Sequence, residues 1–194
     1  MNDPDKELVR KAQAGDKASF GKLVNQYYEM VYAVTFGVVH NREAARDVAQ
    51  EVFMKTWRDI GKFAGQSKFK TWLYRISINA GIDWTRAKRP AESLDATDVS
   101  DDEDRPPMII TDKKPGPRDL TAQVELRGIL DQAIEKLSPE HRAVIVLREW
   151  QELSYEEIAE TLGVQTGTVM SRLFYARKKL AEILSVKMGR SGTS

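Results

Sequence analysis

The sequence predicts an all-α protein made of two small helical domains joined by a flexible acidic linker. Apolar residues recur three and four positions apart, as in the ladder through Leu23, Tyr27 and Val31, which is the spacing of one helix face. No proline occurs within residues 5–89, whereas four prolines occur within residues 106–117. Because proline interrupts helix interiors, this distribution separates helical blocks from a connector. No segment shows the alternation of a β-strand.

The first domain is predicted to span residues 1–92 and to contain four helices. Side chains that favour helix starts, such as Asp16 and Asn41, precede apolar ladders, and a glycine-containing loop over residues 63–68 separates the third helix from the fourth. The predicted helices run from Pro4 to Gly15, Asp16 to Val38, Asn41 to Ile60 and Phe69 to Arg86.

The linker is predicted to span residues 93–120. Between Ser93 and Asp119 it carries eight acidic and four basic side chains with few apolar ones, so it is expected to be a solvated tether. The second domain is then predicted over residues 121–188, followed by a disordered tail over residues 189–194.

A helix-turn-helix is predicted near the carboxyl end of the chain. Ser154 and Glu157 fit a capping box, Gly163 suits a left-handed turn, and Thr166 is expected to cap the second helix. The core face of that helix is expected to hold Val169, Leu173, Ala176 and Leu180. Its outward face is expected to hold Gly167, Ser171, Phe174, Tyr175 and Lys178. This mixed polar, aromatic and basic face favours binding in a DNA major groove over an ordinary helical hairpin with a basic surface.

The third predicted helix has two unlike faces. Its buried stripe is expected to contain Ala45, Val48, Ala49, Val52, Thr56 and Ile60. The opposite stripe is acidic and contains a methionine, and from composition alone it is typical of a solvated surface.

A basic and aromatic segment follows this helix. Residues 55–89 contain nine basic and two acidic side chains, interleaved with six aromatic ones. Bases, stacking surfaces and a glycine loop are typical of a site for single-stranded nucleic acid. Trp57 and Trp72 are assigned to the core, whereas Phe63, Phe69 and Tyr74 fit either the core or the nucleic-acid site.

Composition excludes several other classes of function. The chain has no cysteine and only two histidines, which excludes disulfides and thiol catalysis and argues against zinc sites. No apolar run reaches the roughly 20 residues of a membrane span, and the acidic start is unlike a secretory signal. No nucleophile and base, phosphate loop or metal constellation indicates an enzyme.

Three segments together resemble the sigma-70 family of bacterial RNA polymerase subunits, and within it the small extracytoplasmic-function group. Residues 44–57 are similar to the polymerase-binding helix of that family, residues 69–79 to its promoter-melting segment, and residues 137–177 to its region 4. The resemblance implies a region 2 helical bundle in the first domain and a region 4 helix-turn-helix in the second.

The resemblance also implies residue roles. The docking face for the β′ clamp helices of core RNA polymerase would be formed by Asp47, Gln50, Glu51 and Met54. The minus-ten site for single-stranded promoter DNA would be formed by Lys62, Phe63, Gly65, Gln66, Ser67, Lys68, Phe69, Tyr74 and Asn79. The minus-thirty-five site for duplex DNA would be formed by Thr166, Thr168, Met170, Ser171, Arg172, Phe174, Tyr175, Arg177 and Lys178.

Further partners follow only from the resemblance. It implies contact with the polymerase β flap and a cognate anti-sigma factor, which would hold the chain at the inner membrane. No cofactor is expected, and the lack of a membrane span or secretory signal indicates a cytoplasmic location. The alternative is a free-standing helix-turn-helix regulator in which residues 1–90 form a dimerisation or sensor domain. That alternative predicts specific duplex binding by the protein alone, whereas a sigma factor is expected to need core polymerase.

Overall fold

The computed structural model describes residues 5–88, 129–130 and 132–191, and all regular structure within them is helical. The all-α prediction is therefore confirmed. The predicted linker lies outside the described residues, as do residues 192–194 of the predicted tail, so their flexibility stays a prediction. Residues 189–191 of that tail belong instead to the last helix of the chain.

Residues 5–88 form the first half of the described structure, and its helices match the predicted ones closely. They are α1 (Lys6–Gln13), α2 (Lys17–Val39), α3 (Arg42–Asp59) and α4 (Phe69–Lys88), with a 3₁₀ turn at Ile60–Lys62. The predicted caps form, since the Asp16 carboxylate accepts from the Ala18 N–H at 2.9 Å and the Asn41 side chain accepts from the Ala44 N–H at 2.9 Å. Each bond satisfies a backbone donor that has no partner inside its own helix.

The second half, residues 129–130 and 132–191, contains the helix-turn-helix. Residues 129–130 and 132–135 are helical, and they are followed by α5 (Pro139–Ile145), which continues through a π-helical turn at Val146–Trp150, α6 (Tyr155–Leu162) and α7 (Thr166–Ser191). The predicted capping box is present in both directions at the start of α6, and Gly163 adopts φ +67° after it.

One predicted cap is wrong. Thr166 lies inside α7, because the Val169 N–H donates to the Gln165 carbonyl at 3.2 Å and so makes Gln165 the flanking residue. Threonine is a preferred residue for the cap position that precedes a helix, which is why Thr166 was expected there. The backbone instead begins the helix at Thr166 itself, one residue earlier than expected.

The core of the first half forms where α2 packs against α3 and α4. Leu23, Val31 and Val48 are at most 1% exposed there. At the crossing of α2 and α4, a Cβ on Gly81 would lie only 3.0 Å from the Cβ of Val38, so the absent side chain lets the two helices approach closely.

The two halves share one apolar core. Buried side chains of α2 and α4 form a single cluster with buried side chains of the second half, and its members from the first half are Val34, Val38, Tyr74 and Ile78. The Arg142 guanidinium is 4% exposed and donates to the Val38 carbonyl at 2.6 Å. Gly37 faces Val146 and Trp150 so closely that a Cβ there would lie 2.4 Å from Val146 Cγ2. The sequence patterns do not predict this contact.

Candidate nucleic-acid interface and docking groove

The outward face of α3 carries the four side chains assigned to polymerase docking. Asp47, Gln50, Glu51 and Met54 are all exposed, and Met54 is 66% exposed despite being apolar. The opposite stripe of α3 is buried as predicted, which fixes the helix rotation and turns these four side chains outward. An exposed methionine among acidic side chains gives this face both an apolar and a charged component.

A groove of about 560 Å³ lies beside this face, between α2 and α3. Asp47, Gln50 and Met54 form part of its wall. The rest of the lining comes from Lys17, Phe20, Val24, Tyr28, Arg46, Phe53 and Trp57. The groove is therefore mostly apolar with charged edges.

The aromatic lining of the groove was missed by the sequence interpretation. Trp57 was assigned to the core, but it is only partly buried, and its ring lies 4.9 Å from the ring of Phe20. Tyr28 is 39% exposed and lies 6.4 Å from Phe53 in a stacked arrangement. Phe20, Val24 and Tyr28 recur at four-residue spacing, a pattern that indicates a buried stripe unless the neighbouring helix leaves the stripe open.

The loop between the 3₁₀ turn and α4 borders a second cavity, of about 260 Å³. Gly65 adopts φ +68° within this loop, a conformation that favours glycine. The cavity is lined by Lys62, Phe63, Ala64, Gln66, Ser67, Thr71, Trp72, Arg75, Glu160 and Thr161. Four of the predicted minus-ten residues thus meet at one cavity, while Gly65 and Lys68 are exposed elsewhere in the loop.

Phe69 does not belong to the nucleic-acid site. Its side chain is 0% exposed, and its ring packs against Tyr27, Phe63 and Trp72. Residue spacing left Phe69 open between the core and the site, and the resemblance placed it in the minus-ten site, but its full burial places it in the core. By contrast, Trp72 is partly buried and lines the cavity, where its ring lies 5.1 Å from that of Phe63.

Tyr74 is also unavailable to DNA in this conformation, because the second half covers it. It is 2% exposed, and its hydroxyl donates to Gln151 Oε1 at 2.9 Å. Burial, with a smaller contribution from the negative charge of Glu157, raises the pKa of Tyr74 to about 12. The hydroxyl therefore stays protonated at neutral pH and acts as a donor across the boundary between the halves.

Asn79 is exposed but does not line the cavity. It lies one helical turn beyond Arg75 on α4, which is about 6 Å along the helix axis. Thr71 and Arg75 line the cavity, where Asn79 was expected to lie. Residues 71, 75 and 79 recur at four-residue spacing on one face of α4, so Asn79 misses the cavity because it lies too far along the helix axis.

The outward face of α7 is as predicted. Gly167, Ser171, Phe174, Tyr175 and Lys178 are exposed, while Val169, Leu173 and Ala176 are at most 1% exposed. Phe174 and Tyr175 form an edge-to-face pair with ring centroids 5.4 Å apart. The remaining predicted minus-thirty-five residues are partly exposed, namely Thr166, Thr168, Met170, Arg172 and Arg177.

Arg177 of α7 forms an ion pair within the protein. Its guanidinium lies 2.6 Å from the Glu149 carboxylate, and this pairing raises the pKa of Arg177. Both side chains remain about half exposed, so the pair is expected to contribute little to stability.

Neither a metal-binding group nor a membrane-spanning helix is found among the described residues. Among them, no three histidine, cysteine, aspartate or glutamate side chains group in a way that could hold a metal ion. No helix that the structure describes is both long and apolar enough to cross a lipid bilayer.

Comparison with known families gives two matches in chain order. Residues 23–90 match the family model described as Sigma-70 region 2, and residues 127–180 match the one described as Sigma-70, region 4. The chain is 36% identical over 182 residues to the RNA polymerase sigma-H factor of Pseudomonas aeruginosa, with 93% of each chain covered. It is 35% identical to the ECF RNA polymerase sigma factor SigW of Bacillus subtilis, covering 92% of this chain and 96% of that one.

Solved structures show the same fold. CnrH in complex with the cytosolic domain of CnrY superposes with a TM-score of 0.66 at 25% identity, covering 94% of this chain and 97% of that one. The sigma factor RpoE in complex with the anti-sigma factor NepR from Bartonella quintana superposes with a TM-score of 0.59 at 26% identity, covering 86% and 97%.

Proposed function

Since the chain belongs to the extracytoplasmic-function group of the sigma-70 family, and is an RNA polymerase sigma factor, we propose that α2 and α3 carry its docking face for core polymerase. The observation that supports this most directly is the orientation of α3 about its axis. One stripe of the helix is buried, and the opposite stripe exposes Asp47, Gln50, Glu51 and Met54 together. The neighbouring groove adds apolar area that a purely solvated face does not need.

The chemistry of this face suits a partner helix. An apolar groove receives the hydrophobic stripe of an amphipathic helix, and a charged edge selects the sign of the side chains that flank that stripe. Asp47 and Glu51, spaced by four residues, present negative charge on the exposed face of α3, while Lys17 and Arg46 place positive charge in the groove lining. The resemblance to the sigma-70 family makes the pair of β′ clamp helices the proposed partner, contacted through apolar side chains in the groove and basic side chains beside Asp47 and Glu51.

Charge reversal on this face tests this proposal. The double variant Asp47→Arg with Glu51→Arg is expected to weaken binding to purified core polymerase by at least about tenfold, because like charges would then meet across the interface. The matched control is Glu29→Arg with Asp83→Arg, which makes the same change in net charge at exposed positions outside the groove. Equal core affinity for the two double variants would refute the docking face.

The loop over residues 63–68 is proposed to capture an extruded base of the minus-ten strand. Phe63 and Trp72 offer ring surfaces at the cavity, Gln66 and Ser67 offer hydrogen-bonding groups, and Arg75 offers positive charge for the backbone. Extrusion costs a few kcal/mol, which stacking and hydrogen bonds to the base edge offset. Capture of one strand would keep the promoter open and would make opening depend on sequence.

The outward face of α7 is proposed to read the minus-thirty-five element as duplex. Phe174 can contact a thymine methyl group in the major groove, and Ser171 and Tyr175 can hydrogen-bond to base edges. Lys178 supplies charge for the phosphates. The same half is proposed to contact the β flap. The alternative of a free-standing regulator is not favoured, because the relatives that match across nearly the whole chain are sigma factors.

Control by an anti-sigma factor is part of the proposal. It is supported by the structure of RpoE in complex with the anti-sigma factor NepR, which matches most of this chain. The chain is further proposed to act in the cytoplasm, without a catalytic step or cofactor of its own.

A further inference from the structure

The carboxyl end of α1 is tied to the start of the minus-ten loop by one side chain. The Gln13 amide nitrogen donates to the Ile60 carbonyl at 3.1 Å and to the Phe63 carbonyl at 2.9 Å. The Ile60 carbonyl lies at the start of the 3₁₀ turn Ile60–Lys62, and the Phe63 carbonyl belongs to the residue that follows the turn. The Ile60 side chain is only 4% exposed, so the amide joins the first residue of the loop to a fixed point of the core.

The tie acts on a part of the chain that needs an external partner. Carbonyls at the end of a helix lack donor partners within that helix, and Phe63 is also the residue at which the chain leaves helical geometry. The ring of Phe63 lies 5.1 Å from Trp72, and both rings line the cavity. A change in the Phe63 backbone would therefore change the cavity wall.

The helix that carries Gln13 is itself firmly held. Val9 and Ala12 are at most 5% exposed against the first-half core. At its other end the Asp5 carboxylate accepts hydrogen bonds from Tyr27 and Gln26. An anchored helix can fix the position of a loop, whereas a fraying one would move with it.

We propose that Gln13 is a positioning residue for the minus-ten loop. It holds the Phe63 backbone, and through it the cavity wall, in the shape that accepts an extruded base, without touching DNA. This rests on the proposed minus-ten function of the loop. Without these two hydrogen bonds the loop samples other conformations. Promoters with the base that fits the cavity then lose part of their preference over promoters whose base does not enter the cavity.

A purely stabilising role predicts a different result. If Gln13 only raised the stability of the fold, its loss would lower the active fraction of the protein equally on every promoter. The ratio of transcription between promoters that differ at one minus-ten base would then stay constant. That ratio distinguishes positioning from stability.

The test uses the full chain with purified core polymerase in run-off transcription on promoters randomised at the minus-ten element. Gln13→Met keeps the side-chain length and removes the donors, while Gln13→Lys keeps donors at comparable reach. Arg10→Met is the matched control, because Arg10 is exposed on the same helix and its side chain hydrogen-bonds to Glu7 rather than to the loop. Gln66→Ala perturbs the loop directly.

Gln13→Met is expected to reduce the preference for the best minus-ten base by about threefold to tenfold, the range that the net loss of about one hydrogen bond implies. Minus-thirty-five preference and core affinity are expected to stay unchanged, Gln13→Lys to restore most of the preference, and Arg10→Met to leave it unaltered. If Gln66→Ala reduces the preference and Gln13→Met does not, or reduces both promoter preferences equally, the positioning role is wrong. If Gln66→Ala also leaves the preference intact, the proposed loop function itself fails.

Discussion

Gly37→Ala should destabilise this protein, although the same change usually stabilises a helix. Alanine is favoured over glycine in a helix interior by about 1 kcal/mol. At Gly37, however, the new Cβ would lie 2.4 Å from Val146 Cγ2 and 2.8 Å from Trp150 Cζ3, far inside the usual carbon contact distance of about 3.5–4.0 Å. The Trp150 ring is 40% exposed and can tilt away, but Val146 is buried and β-branched, so its χ1 angle is stiff.

The magnitude follows from these opposing effects. Overpacking a close contact costs about 1–3 kcal/mol, which equals or exceeds the helix gain. Gly21 provides the matched control, since it lies in the same helix with nothing within 4 Å of its built Cβ. Gly21→Ala should therefore raise the free energy of unfolding by about 1 kcal/mol. The free energy of unfolding of Gly37→Ala should be lower than that of Gly21→Ala by about 1–3 kcal/mol.

A double-mutant cycle locates the cause. Val146→Ala alone should cost about 2 kcal/mol, from two buried methyl groups and the cavity they leave. Combined with Gly37→Ala, the new methyl group enters that cavity, so the double variant should be more stable than the sum of the single changes by at least about 1 kcal/mol. Urea unfolding of the full chain measures all four proteins. Additivity within about 0.5 kcal/mol, or equal stabilisation by Gly37→Ala and Gly21→Ala, would refute the close contact between the halves.

Three further predictions concern the second half. Ser154→Ala removes the hydroxyl of the capping box and should lower the free energy of unfolding by about 1 kcal/mol, seen as a lower Tm. Burial, and then the charge of Arg172, lower the pKa of His141, so the folded state favours its neutral imidazole. Stability should thus be full above the unfolded-state pKa of about 6.5 and fall as the pH drops through it, and His141→Gln should flatten this part of the unfolding profile. Phe174→Ala and Tyr175→Ala alter exposed side chains, so each should leave the Tm nearly unchanged while weakening minus-thirty-five recognition by about fivefold to a hundredfold in competition transcription.

Features encoded by short stretches of sequence were predictable. The Asp16 and Asn41 caps, the capping box that begins at Ser154 and the left-handed Gly163 each depend on a few neighbouring residues. The two faces of α7 were predictable for the same reason, because a helix of known start and period fixes which side chains share a face. The position of Thr166 was wrong by one residue, which is the usual uncertainty of a helix boundary.

The roles of the aromatic residues were not predictable from spacing alone. Phe63 and Phe69 lie six residues apart in one basic segment, yet the first lines a cavity and the second is fully buried. Trp57 and Trp72 fit apolar stripes, yet both reach a cavity. An apolar stripe becomes a core or an open groove according to whether another helix covers it, and covering is a property of the assembled bundle.

The contact between the two halves could not be predicted from the sequence for a similar reason. Gly37 looked like any helix glycine, and only the position of Val146 and Trp150 explains the absent side chain. The charge of Arg142 was also uninformative, because one of the carbonyls to which it donates, that of Val38, is 104 positions away and belongs to the backbone. Such pairings depend on which helix ends meet in three dimensions.

The two proposed sites of the first half differ in how this packing affects them. The docking face on α3 lies away from the second half, and its groove is lined by residues of α2 and α3 alone. The minus-ten cavity is lined by Glu160 and Thr161 of α6 as well, and the carboxylate of Glu160 places a negative charge where a phosphate backbone would approach. Tyr74 is covered by the same half. Core polymerase can therefore meet its proposed docking face in this conformation, whereas a DNA strand at the proposed minus-ten cavity would also meet Glu160 and Thr161 of α6.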